Sequence, residues 1–199
     1  MKYLKTLLLS LKKLFSSKKG ELIPISLGSD EIVTRAILHP LFYSDSKRKL
    51  KREAFLPPPG RKDVSVLRLK FTSDHSCKRH ARSLSYKGQT YRGLATLLVD
   101  VLSRINELVN SVVKVSIIGS ALDSKGNSIS GKKVYSNSPG LPMHADILYS
   151  EPVAVGKVQT EHRLIADCMV KNSNFFLDPN PDMAAWQGPT LSYTYPEET

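Results

Sequence analysis

His144 and Asp146 stand two residues apart, where the Ser-, Pro- and Gly-rich loop 136–143 runs into the apolar stretch ending at Tyr149. On a strand, residues i and i+2 point to the same side, so the two side chains share a face at the start of a strand. A histidine there can act as a general acid or base, with the aspartate orienting its ring. With a cation nearby to stabilise developing charge, the arrangement suits phosphodiester cleavage. Lys132 and Lys133 lie just upstream. Arg35 and Arg68 each sit inside an otherwise apolar stretch. If both converge on His144, their planar forks of donors make an anion clamp. The plainer alternative is that His144 and Asp146 satisfy local backbone groups, while the two arginines face solvent.

A second cluster, His75, Cys77 and His80, has ligand types at short spacing. Three ligands in so short a run strain to reach one metal, no Cys-x-x-Cys accompanies them, and Lys78 and Arg79 oppose a cation. No metal and no cofactor is expected. Phosphate-binding glycine loops, a nucleophile elbow and zinc-protease signatures are missing from the sequence.

Charge carries the strongest signal. The chain has 199 residues and a formal net charge of +11. Residues 1–93 hold 21 of the 29 Lys and Arg but only 7 of the 18 Asp and Glu. Such asymmetry suits a polyanion partner. Lys47, Arg48, Lys49, Lys51 and Arg52 fall within seven positions. Further on, Lys78, Arg79, Arg82, Lys87 and Arg92 interleave with Tyr86 and Tyr91. Cations grip phosphates, and tyrosines stack on unpaired bases.

These residues need elements to hold them. Residues 1–20 carry Leu4, Leu7, Leu8, Leu11, Leu14 and Phe15 at helical spacing among six lysines, which predicts a basic amphipathic helix. Such a helix docks on the domain, on a partner protein or, less readily, on an anionic membrane. Ser29 or Asp30 offers a helix start, and residues 31–42 read as helix or strand, with Pro40 stopping any helix at about His39. Residues 64–71 read as a strand, 91–113 as the best helix, 114–122 and 145–149 as strands, and 157–171 as a second helix with Leu164, Ile165, Cys168 and Met169 inward. Residues 44–63 and 72–93 read as basic loops, and 178–199 as a polar tail with prolines and tyrosines.

The expected fold is α/β or α+β: one domain over 21–177, with a central mixed sheet, two main helices and the N-terminal helix. Two cysteines make no disulfide framework and fit a reducing, cytoplasmic setting. No run is long enough to span a membrane as a helix. The expected function is binding of RNA or single-stranded nucleic acid within a larger assembly. The alternatives are a phosphate-directed enzyme, either a metal-independent nuclease or a nucleotide-using transferase, and a membrane- or partner-docking protein working through residues 1–19. In the enzyme, His144 is the acid or base, Asp146 its orienter, and Arg35 and Arg68 the clamp.

Overall fold

The computed structural model describes residues 20–129, 132–156 and 159–196. The expected N-terminal helix lies outside them. The chain folds as an α+β domain around a six-stranded sheet. The strands are β2 (Ile32–His39), β5 (Asp63–Arg68), β6 (Thr90–Leu98), β7 (Val115–Gly119), β9 (His144–Tyr149) and β10 (Asn174–Leu177), in the order β10-β6-β2-β5-β9-β7. Every pairing is antiparallel, so the expected mixed sheet is corrected. Two small ribbons complete the strands: β1 (Leu22–Ile23) with β8 (Val134–Tyr135), and β3 (Tyr43–Ser44) with β4 (Lys49–Leu50).

Among the described residues, three helices rather than the two main helices expected flank the sheet: α1 (Asp74–Ser83), α2 (Asp100–Val109) and α3 (Thr160–Lys171). On one face, Val101, Leu102 and Ile105 of α2 and Ile165, Ala166 and Met169 of α3 pack on Val33, Ile37, Ala95, Leu97, Val66 and Ile147. On the other, Cys77 and Ala81 of α1 meet Leu38, Leu67, Tyr91 and Leu94, with Leu191 from the C-terminal segment. Each central strand thus has both faces covered and reads as a near-continuous apolar run.

That double burial explains the largest difference from expectation. Residues 91–113 are not one helix. They form β6 and then, after Val99, α2. Leu94 and Leu98 match a helical stripe that continues through Val101 and Ile105, because periodicity does not separate a doubly buried strand from a helix. Gly93 favours the strand physically: a Cβ there would lie 2.3 Å from the Phe176 carbonyl oxygen on β10. Helix α2 then ends at Asn110, which adopts a left-handed conformation (φ 44°).

The expected loop 72–93 contains α1. Ser73 caps it by accepting from the Ser76 N–H at 3.2 Å. Residues 44–63 hold the β3–β4 ribbon and a 3-10 turn, Arg52–Ala54, that buries Ala54 and leads into buried Phe55. The expected helix start at Ser29 is a turn into β2. In α3, Ile165 and Met169 are buried as expected, but Leu164 is exposed. The tail is no free appendage up to residue 196: Leu191 is buried, and Thr96 Oγ1 donates to the Ser192 carbonyl at 2.6 Å. Among the described residues, no helix is long and apolar enough to cross a membrane.

Candidate nucleic-acid interface and a histidine centre

The two basic segments meet at one end of the sheet. β2 ends at His39, followed by the cis His39–Pro40 bond and the β3–β4 ribbon. The ribbon is held from within: Tyr43 is buried with its ring 5.1 Å from that of Phe175, and the Lys51 N–H donates to the Phe42 carbonyl at 2.8 Å. Lys51 Nζ donates to the Pro40 carbonyl at 2.6 Å. The neighbouring loop is the turn between Tyr86 and Gln89, which exchange backbone hydrogen bonds around Lys87 (φ 34°) and Gly88 (φ 80°).

Asp45 joins the two loops. Its carboxylate accepts from Arg92 at 2.9 Å and lies 3.4 Å from His39 Nδ1. Arg92 reaches it because of a bulge: the partner of β2 moves from Gly93 at Ile37 to Tyr91 at Leu38, leaving Arg92 unpaired in β6. Around this staple, Lys47, Arg48, Lys49, Tyr86 and Lys87 are exposed. The Lys87 ammonium lies 5.2 Å from the Tyr86 ring centre. Among the described residues, Lys47, Arg48, Lys49 and Lys87 have no carboxylate partner. A groove continues from the ribbon to α3, lined by Arg48, Lys49, Arg52, Lys171, Leu164 and Phe175. Arg52 pairs there with Asp167 at 3.2 Å.

Other cations chosen from sequence are placed differently. Lys78 is fully buried. It bonds the Asn180 and Ala185 carbonyls at 2.8 and 2.9 Å and pairs with buried Asp178 at 2.7 Å, so it is not available to a phosphate. Arg82 donates to the Met183 carbonyl at 3.1 Å. Arg79 is exposed, and Tyr91 is buried against α1. Lys78→Met is therefore expected to lower stability by about 3–5 kcal/mol, because Asp178 is left as an unpaired buried charge. Urea unfolding checks this. The salt slope of nucleic-acid binding, measured on the folded variant, should not change.

The sequence-predicted catalytic residues separate into two places. Arg68 is wholly buried. It forms a two-pronged pair with Glu31, at 2.9 and 2.8 Å, donates also to the Pro24 carbonyl, and lies over the Phe71 ring. Burial opposes the charge on Glu31, but the bonds from Arg68 and the Gly28 N–H outweigh it and hold the carboxyl below its usual range. Arg68 is a structural strut at this position.

Arg35, His144 and Asp146 do come together. β2 and β5 pair only at Val33↔Arg68 and Thr34↔Leu67. Beyond these pairs, the Arg35 guanidinium bridges to β5, donating to the Ser65 carbonyl at 2.7 Å and the Ala54 carbonyl at 3.0 Å. Burial lowers its pKa to about 10 against the pull of Asp146 and Asp63, so it stays charged at neutral pH. His144 Nδ1 lies 2.9 Å from Ser120 Oγ and 3.0 Å from the Ser120 carbonyl. Its Nε2 lies 3.9 Å from Asp146, beyond hydrogen-bond distance. Asp146 instead accepts from Ser65 at 3.4 Å.

His80, which the sequence grouped with His75 and Cys77 rather than with His144, is turned by α1 toward this same centre. Burial, then the neighbouring His144 and Arg35, hold its pKa below the usual value, so it is neutral at pH 7. His80, His144, Arg35, Ser65 and Thr34 line one cavity of about 20 Å³. That is room for one water and too little for a phosphate. His75 is exposed and Cys77 is buried, its thiol pushed up to about 12 by burial. Among the described residues, no group of His, Cys, Asp and Glu is placed to hold a metal ion. Sequence reasoning missed Lys171 and Asp45: one is a lone lysine closing a helix, the other a lone acid within a basic run.

The chain matches no family model, no curated protein and no solved structure.

Proposed function

We propose that this protein binds the phosphate backbone of RNA or single-stranded nucleic acid through the basic end of its sheet, in the cytoplasm and within a larger assembly. The observation that carries the reading is the convergence of two loops about forty residues apart in sequence, stapled by Asp45 to Arg92, with Lys47, Arg48, Lys49 and Lys87 left exposed around the staple. Unpaired cations held on short, anchored turns can displace counterions from a polyanion with little ordering cost. Tyr86, 64% exposed beside Lys87, offers a stacking face for an unpaired base. The free cysteines Cys77 and Cys168 agree with a reducing compartment.

Cleavage at the histidine centre is the weaker reading. His80 and His144 share a cavity, but its size admits no phosphate, and His144 is only 5% exposed.

The test is binding of labelled single-stranded RNA, single-stranded DNA and duplex DNA, followed by fluorescence anisotropy across a salt series. About five phosphate contacts to a single strand give a log–log slope near −3.5, so tripling the salt weakens binding about fiftyfold. Affinity independent of salt would refute the proposal. Tyr86→Ala is expected to weaken single-strand binding by about 1–3 kcal/mol, with Tyr86→Phe close to wild type. Equal losses on duplex DNA would remove the stacking role.

A further inference from the structure

On the sheet face that α1 covers at β2 and β6, the far side, toward β7, is left with an apolar groove. Ile23, Ile25, Ile118, Ala121, Ile129 and Pro142 line it, and His144 and Ser120 stand at its inner wall. Ile25 is 58% and Ile118 41% exposed among the described residues. Contiguous apolar surface of this kind marks a place where something docks.

The described chain starts beside this groove, at Gly20 and Glu21. The Glu21 N–H donates to Ser136 Oγ at 3.0 Å, and the Ser136 N–H returns a bond to the Glu21 carbonyl at 2.8 Å. Ile23 then pairs with Val134, and both side chains border the groove. In sequence, Leu4, Leu7, Leu8, Leu11, Leu14 and Phe15 recur at helical spacing, with Lys2, Lys5, Lys12 and Lys13 between them. Only Ser16 to Lys19 separate Phe15 from Gly20, a span of at most about 18 Å. So short a tether holds the apolar positions near the groove at an effective concentration on the order of millimolar. A second copy or a membrane at ordinary concentrations competes poorly with that.

We propose that residues 1–19 seat their leucines and Phe15 in the groove formed by Ile25, Ile118 and Ile129 of the same chain. This is independent of nucleic-acid binding at the basic end of the sheet.

Disulfide trapping in the full chain tests it, in a Cys168→Ser background. Cys77, 1% exposed, stays inert. Leu4, Leu7, Leu11 and Leu14 are each replaced by Cys and paired with Ile118→Cys or, should that variant fold poorly, Ile25→Cys. At low micromolar protein, at least one leucine position should close at least tenfold faster than Lys12→Cys, and as a monomer. Equal rates, no cross-link or a dimer band would overturn the proposal. Hydrogen exchange gives a second measurement. Leu7→Asp with Leu11→Asp in the full chain should speed exchange of the amides of 117–121 at least tenfold. Unchanged exchange would count against the groove as the docking place.

Discussion

Arg68→Ala is expected to destabilise the protein by about 3–5 kcal/mol, enough to consume much of the stability of a domain this size. The guanidinium is wholly buried and joins three parts of the chain: β5, Glu31 at the start of β2, and the Pro24 carbonyl after β1. Removing it leaves the Glu31 carboxylate, 8% exposed, without its cation. The test is the midpoint of urea unfolding, followed by circular dichroism. Glu31→Gln with Arg68→Met should recover part of the loss, since no buried charge is then left unpaired and the amide oxygen still accepts from the Gly28 N–H. A double variant as unstable as Arg68→Ala would show that the arginine's packing, not its charge, matters.

The pair also sets a pH dependence. The folded carboxyl of Glu31 titrates below its ordinary value, so the stabilisation is complete above the ordinary glutamate range and is lost as pH falls through the lower, folded value. The wild type should therefore lose stability more steeply than Arg68→Met on acidification below about pH 5. Parallel curves would remove Glu31 from the acid response.

The second large effect concerns the basic end. Lys47→Glu, Arg48→Glu and Lys49→Glu together are expected to weaken binding of a single-stranded RNA 20-mer at least about 100-fold near 0.1 M salt, about 2.7 kcal/mol. The log–log salt slope should become shallower by roughly 0.7 for each phosphate that the protein no longer neutralises. All three side chains are exposed, so the unfolding midpoint should stay within about 0.5 kcal/mol of wild type. Net charge alone would also lower affinity. The matched control is Lys125→Glu, Lys132→Glu and Lys133→Glu, which changes charge equally in the segment after β7, at the sheet edge opposite β10. Equal losses in the two variants would mean a diffuse field rather than a site at the ribbon.

The two histidines show how much of a site a sequence can carry. A strand over 145–149, one residue short of its start at His144, and the shared face of His144 and Asp146 were legible, because period-two alternation follows from backbone geometry. His80 was not, because α1 buries few apolar residues: Cys77, Ala81 and the stem of Lys78. A helix packed by so short a stripe leaves almost no periodic signal, and its polar residues resemble a loop. Lys78 was misplaced for the same reason. Its burial depends on Asp178, one hundred residues away in sequence.

By itself, the sequence determined the asymmetry of charge, the mixture of strands and helices, and the alternation that puts His144 and Asp146 on one side. Each is a local property, set by composition or by the repeat of the backbone. Tertiary structure alone decided which cations stand free: Lys47, Arg48, Lys49 and Lys87 at the sheet end, with Lys78 and Arg68 taken into the interior. It also decided that the strands run antiparallel, and that β6 is a strand where helical spacing pointed to a helix. The physical reason is the same in each case. A side chain's exposure, and the partner that neutralises it, depend on segments far away in sequence that only folding brings within a few ångströms.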